Sequence, residues 1–241
     1  MKKSGGAKNH MFNDTDIVLA EKRLVGEKAA DFIKEGMIVG LGTGSTVYYT
    51  MQKLGRMVKE GLNISAVSTS LSTSTLAKEL GIPLKSLNEV SRIDITIDGA
   101  DEVDYMFRGI KGGGGALLFE KIVAYYSDQN IWVIDSGKYV SKLGKFPLPV
   151  EVIPMGYIQF LKKMQENNYK CVLRKNEKDI FKTDSGNVII DVNIEKVTDY
   201  QEFNHWLLNI PGVVETGLFL DVVDKIIMPD KNDVKILIKD K

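Results

Sequence analysis

From Asp14 to Ile33 apolar residues recur at helical spacing (Ile17, Leu24, Val25, Ala29, Phe32), with Asp14 or Thr15 in place to cap. This predicts a first helix. The pattern then changes to short apolar runs, Met37 to Leu41, Ile64 to Val67, Ile93 to Ile97 and Ile131 to Ile134, which read as strands. Helical stretches follow the first three, at Val47 to Lys59, Leu76 to Leu80 and Ala116 to Ser127, and the fourth strand leaves into Asp135-Ser136-Gly137-Lys138. We read this as a unit of strand, polar loop and helix repeated four times. It predicts an α/β fold on a Rossmann-like open parallel sheet.

The composition shifts at Phe146-Pro147-Leu148-Pro149. Beyond it we read a strand (Val150 to Ile153), a helix (Tyr157 to Gln165), a strand (Tyr169 to Arg174), a hairpin turning near Asp184 to Asn187, a helix (Tyr200 to Leu208) and a strand (Gly212 to Phe219). That βαββαβ order predicts a small ferredoxin-like domain. Lys225 to Met228 and Val234 to Ile238 read as two strands returning to the first domain. The expected division is 11–149 plus 223–241 for the larger domain and 150–222 for the smaller, with 1–10 a flexible leader or cloning remnant.

The 241 residues carry 32 Lys and Arg against 32 Asp and Glu. No net field recruits nucleic acid or an anionic membrane, so any bound anion must be held locally. One cysteine, Cys171, and two scattered histidines, His10 and His205, are too few for a zinc site or a disulfide framework, which fits a reducing cytosol. No apolar run reaches the roughly 18–20 residues that span a bilayer, and no signal-peptide pattern is present.

The chemistry gathers between Asp98 and Lys121, DGADEVDYMFRGIKGGGGALLFEK. A β-rich run ends in four acids, Asp98, Asp101, Glu102 and Asp104; Lys111 and four glycines then open a helix that carries Glu120 about one turn in. Four consecutive glycines are entropically costly, and a loop that keeps them usually brings its backbone close to a ligand. Acids, a lysine, bare amides and a second carboxylate are what proton transfer requires. Taken singly, Asp98 and Asp101 also fit an Asx turn, and Glu120 an ordinary surface glutamate. Gly42-Thr43-Gly44-Ser45-Thr46, between strand and helix, reads as an anion cradle, although a structural turn also fits. A dinucleotide turn fits poorly, because Ser45 stands where the third glycine belongs and the next strand ends at Ser68 to Ser70 without a ribose-binding acid. The hydroxyls from Ser68 to Thr75 either cap the next helix or line a sugar-phosphate pocket. Residues 43–46, 68–70, 98–101, 111–115 and Lys138 all follow strand ends, where open parallel sheets bind ligands.

Together GTGST at Gly42 to Thr46, DGADE at Asp98 to Glu102, KGGGGAL at Lys111 to Leu117 with Glu120-Lys121 following, and KLGKFPLPVEV at Lys142 to Val152 resemble the ribose-5-phosphate isomerase family of the A type. The resemblance runs from about Asp16 to the C-terminus, with one departure: Phe119 stands where the family pattern often has arginine. It implies a metal-free, cofactor-free aldose-ketose isomerase of the pentose phosphate pathway, interconverting D-ribose 5-phosphate and D-ribulose 5-phosphate, cytoplasmic and dimeric or tetrameric. Carried over, Glu120 is the general base of a cis-enediolate mechanism, and Lys111 with the amides of Gly112, Gly113 and Gly114 holds the enediolate oxygens. Asp98 and Asp101, with the Gly99 and Ala100 backbone between them, hold sugar hydroxyls. Thr43, Gly44, Ser45, Thr46 and Lys138, with Lys22, hold the phosphate; on residue type alone Lys22 reads as a solvated lysine. A sugar-phosphate sensor would need a DNA-binding helix-turn-helix that the short leader does not supply. A deaminase would want a histidine in its core, and an acyl-CoA transferase a glutamate in a different setting.

Overall fold

The computed structural model describes residues 14–231 and 233–239, so the leader read over 1–10 lies outside the described residues. In chain order the first elements are α1 (Asp14–Ala30), β1 (Ile38–Leu41), α2 (Val47–Lys59), β2 (Ser65–Ser68), α3 (Leu71–Leu80), β3 (Ile95–Gly99), β4 (Glu102–Asp104) and β5 (Gly109–Ile110). Then come α4 (Leu117–Tyr125), β6 (Asn130–Val133), β7 (Tyr139–Val140), β8 (Leu148–Val152), α5 (Tyr157–Glu166), β9 (Cys171–Leu173), β10 (Lys175–Asn176) and β11 (Asp179–Ile180). The last are β12 (Val188–Val192), α6 (Tyr200–Leu208), β13 (Val213–Thr216), β14 (Leu218–Phe219), β15 (Lys225–Asp230) and β16 (Asp233–Ile238). Among the described residues no helix is long and apolar enough to cross a membrane.

The main sheet has the order β16-β15-β6-β3-β1-β2. All its pairs are parallel except β15 with β16. Val39, Leu41, Ile95, Ile97, Ile131 and Val133 are buried in one cluster with Val25 and Ala29 of α1 and Met51 and Leu54 of α2. The chain leaves β1 outward to β2 and then returns to β1's other side as β3. This reversal opens a crevice beyond the carboxyl ends of β1 and β3. Leu41 lies opposite both Ile97 and Ser68, so the three strand exits are level.

A second sheet, β13-β8-β12-β9, is wholly antiparallel. Phe160 and Met164 of α5 and Phe203 and Leu207 of α6 pack on its Val150, Val152, Ile190 and Val192. Numbered along the βαββαβ segment, these strands lie in the order 4-1-3-2, that of a ferredoxin-like sheet. β15 and β16 rejoin the main sheet, as their pattern predicts.

Several details depart from the sequence reading. α3 begins at Leu71 rather than Leu76, because Ser70 caps it by accepting from the Thr73 amide and Ser72 to Thr75 lie within the helix. The fourth strand is followed by a single 3-10 turn, Ser136–Lys138, rather than an α-helix. The hairpin of β10 and β11, with every residue exposed, precedes the expected turn. The run read as one strand to Phe219 divides at Gly217, and β14 enters a third sheet, β14-β5-β4-β7. That sheet explains two of the four acids. The Glu102 carboxylate accepts from the Gly144 and Phe146 amides at 2.7 Å each, and Asp104 accepts from the Met106 and Arg108 amides and pairs with the Arg108 guanidinium at 2.6 Å. Both are structural clamps.

Candidate active site

The site lies at the crevice between β1 and β3. Gly42, just after β1, lies so close to β3 that a Cβ on it would stand 2.0 Å from Asp98 Oδ1 and 2.5 Å from Asp98 Cα; only glycine fits. The following turn runs into α2, whose first turn carries no side-chain cap. The amides of Gly44, Ser45 and Thr46 make no hydrogen bond among the described residues, and Thr46 is buried. The helix N-terminus therefore presents unpaired N–H groups to the cleft.

The Thr43 hydroxyl faces away from this cradle. It lies 2.8 Å from the hydroxyls of Thr69 and Ser70 and 3.1 Å from that of Thr73, while Thr73 Oγ1 donates to Gly42 O at 2.9 Å. The hydroxyl cluster after β2 thus fixes the shape of the cradle from behind, and Thr43 meets the cleft with the rest of its residue.

Three ionisable groups meet in the buried floor. Lys111 Nζ lies 2.9 Å from Asp98 Oδ2 and 3.2 Å from Glu120 Oε1, and donates to Gly99 O at 2.5 Å. Asp98 Oδ1 accepts from the Gly99 amide at 2.7 Å and the Thr43 amide at 3.1 Å. Glu120 has far less support: its Oε2 is buried without a hydrogen-bond partner among the described residues. Asp101 Oδ2 accepts from the Gly113 amide at 2.7 Å.

One buried cation cannot fully neutralise two buried carboxylates. Burial works against the Lys111 ammonium, but Asp98 and Glu120 together outweigh it and its pKa lies above the ordinary value. Burial, and then the Asp98 charge, push Glu120 up to about 8 against the pull of Lys111. Asp98 is also raised by burial, with Lys111 and the Gly99 and Thr43 amides pulling it back. Asp98 has three good donors and Glu120 one, so of the two carboxylates Glu120 is the less well stabilised as an anion and the readier to hold a proton. A carboxylate that exchanges a proton near neutral pH is what a general base needs.

Residues 43–46, 99–101 and 111–114, with Glu120 and Lys138, enclose a cleft of about 180 Å³. This is below the roughly 300–1,000 Å³ of drug-sized ligand sites and suits a small polar metabolite. Lys138 reaches it from the turn after β6; burial lowers its pKa, with Asp101 and Asp135 opposing. Lys22 does not line the cleft and lies 3.9 Å from Asp135. Lys121 turns away from Glu120 and joins α4 to β13 and β14, through Glu215, Thr216 O and Leu218 O. Phe119 is partly exposed and outside the cleft. A larger cavity of about 410 Å³ beyond the cradle, between Leu19, Tyr48, Tyr49 and Leu76, has no acidic or basic lining residue. Among the described residues no group of three or more His, Cys, Asp or Glu is arranged to hold a metal.

One residue beside the site has no signal in the local motifs. Arg174, from the end of β9, donates to Gly112 O at 2.8 Å and Gly113 O at 3.0 Å.

The family model for ribose 5-phosphate isomerase A (phosphoriboisomerase A) matches residues 65–233. A ribose-5-phosphate isomerase A of Listeria innocua is 54% identical over 211 residues, covering 87% of this chain and 94% of that relative. The chain belongs to the ribose-5-phosphate isomerase A family. Solved structures of this family match the fold over 90% of the chain. The ribose 5-phosphate isomerase A of Methanocaldococcus jannaschii, 41% identical, covers 90% of this chain and 98% of its own at a TM-score of 0.85. A D-ribose-5-phosphate isomerase in complex with phospho-erythronic acid, 39% identical, covers 90% and 97% at a TM-score of 0.87.

Proposed function

We propose that the cleft interconverts D-ribose 5-phosphate and D-ribulose 5-phosphate through a cis-enediolate, with Glu120 as the proton carrier. The observation that carries this reading is the Glu120 carboxylate, buried in the cleft with one oxygen on Lys111 and the other unpaired. In the open-chain aldose Glu120 takes the proton from C2 while the electron pair moves onto the C1 oxygen. The enediolate's two oxygens are held by Lys111 Nζ and the glycine-loop amides, donors fixed in place before charge develops. Asp98 and Asp101 hold the hydroxyls and pass the proton between O1 and O2. Glu120 then delivers its proton to C1 and leaves the ketone at C2. Phospho-erythronic acid, bound to a solved relative, suits this account: its carboxylate resembles the planar pair of enediolate oxygens and its phosphate matches the substrate's. The same reading makes the enzyme cytoplasmic and a homodimer or homotetramer, and the exposed Ile122 and Tyr125 of α4, with Tyr126 just after it, are apolar surface an assembly would cover. The direct test is formation of ketose from ribose 5-phosphate by the chelator-treated protein; absence of conversion would overturn the reading.

The phosphate belongs on the amides of Gly44, Ser45 and Thr46 and the Thr46 hydroxyl, beside Lys138. A hydrogen bond to a charged group contributes roughly 1.5–3 kcal/mol, so Thr46→Ala is expected to raise KM by about one to two powers of ten with little change in kcat. Steady-state kinetics check this.

The pH profile follows from the floor. The base must be ionised, so kcat/KM should rise with pH along a limb centred near the Glu120 value of about 8. After burial, Asp98 is the largest contributor to that rise. Asp98→Asn removes its negative charge and should move the limb to lower pH, even in a slower enzyme; an unmoved limb would separate the two groups.

A further inference from the structure

The glycine loop is gripped from outside the main sheet. Arg174 stands at the root of the β10–β11 hairpin, its amide bonded to Ile189 O and its carbonyl accepting from the Phe181 amide. Asp191 on β12 holds its guanidinium in a fork, with Nε on Oδ2 at 2.9 Å and Nη2 on Oδ1. Nη1 remains, and it donates to the carbonyls of Gly112 and Gly113. In a trans peptide the C=O of one residue and the N–H of the next point in opposite directions. Holding these two carbonyls on the Arg174 side therefore turns the Gly113 and Gly114 amides to the other side, toward the cleft. The Gly113 amide meets Asp101 there, and the Gly114 amide makes no hydrogen bond among the described residues. Successive glycines have no side chains of their own to fix these peptides.

We infer that Arg174, oriented by Asp191, is a positioning residue that sets the direction of the Gly113 and Gly114 amides and so prepares the oxyanion-binding wall before substrate arrives. The inference rests on the isomerase reading of the cleft. A lysine cannot replace it, because an ammonium on a flexible stem lacks the planar fork that spans one carboxylate and two carbonyls. Arg174→Ala, Arg174→Lys and the milder Asp191→Asn should be compared with the wild type for kcat, KM and inhibition by phospho-erythronic acid and by inorganic phosphate. Losing one well-placed oxyanion donor costs about 10²–10³ in kcat, and loosening donors should cost less, on the order of 10–10². KM and inhibition by inorganic phosphate should change little, because the cradle on α2 is untouched, while phospho-erythronic acid should weaken with kcat. Arg174→Lys should not restore the rate, and Asp191→Asn should show the same split in weaker form. Wild-type kcat in Arg174→Ala and Asp191→Asn would overturn the inference. So would losses shared equally by the two inhibitors, the mark of general loosening. A wild type that fails to isomerise would instead overturn the reading of the site.

Discussion

Glu120→Gln is expected to bind the sugar phosphate nearly as the wild type does while kcat falls by at least 10²- to 10⁴-fold, the range for losing a positioned acid-base group. The amide keeps the size of the carboxylate and can still meet Lys111, but it has no basic lone pair for the C2 proton. KM should hold, because the phosphate is proposed to sit at the start of α2, away from Glu120. The fold should respond in the opposite sense. Glu120 is raised from its ordinary 4.5 to about 8, so the folded wild type binds its proton more tightly than the unfolded chain does. That stabilisation is complete below pH 4.5 and is lost as pH rises toward 8. Glutamine carries no such penalty, so the Tm of Glu120→Gln should gain on the wild type across that window. Thermal melts at pH 5 and pH 9, beside turnover on the same preparations, check both.

Lys111→Met is expected to be the most damaging change in the floor. Lys111 is 2% exposed and is the cation for two buried carboxylates. Removing one partner of a buried ion pair costs about 3–5 kcal/mol, because the other charge is left uncompensated. Asp98 and Glu120 would then keep protons to still higher pH. Since Lys111 lowers the Glu120 pKa, its loss should push the limb of kcat/KM above 8, the reverse of Asp98→Asn. The drop in Tm should be smaller at pH 5, where the carboxylates can stay neutral, than at pH 9. The enediolate stabilisation proposed for Lys111 would be lost as well, so kcat should fall at every pH. An unshifted limb with an unchanged Tm would place Lys111 outside the charge balance of the site.

The site was legible where sequence order and spatial order coincide. Parallel strands deliver their carboxyl ends to one edge, so GTGST, DGADE, KGGGG and Lys138 come together even though several strand boundaries move by one or two residues. Helices with strong periodicity and clear ends, Val47–Lys59 and Tyr200–Leu208, lie where their pattern places them. What stayed hidden depends on tertiary partners. The hydroxyls after β2 satisfy either a cap or a pocket, and only the approach of Thr43 shows that they brace the cradle. Glu102 and Asp104 look like members of the acidic group until β4, whose pairing runs through three-residue and two-residue strands, turns them onto amides and Arg108. Arg174 lies about sixty residues from the glycines it holds. No periodicity in its own segment marks it.

The central claim is that Glu120 carries a proton between C2 and C1 of the sugar. Isomerisation of ribose 5-phosphate in D₂O by the chelator-treated enzyme, followed by NMR, tests it most directly. A proton held on a carboxylate can exchange with solvent, so deuterium should appear on the product carbon alpha to its carbonyl, in competition with internal return, and the signal should vanish along with turnover in Glu120→Gln. Product free of deuterium after many turnovers, or near-normal turnover of Glu120→Gln, would contradict the account.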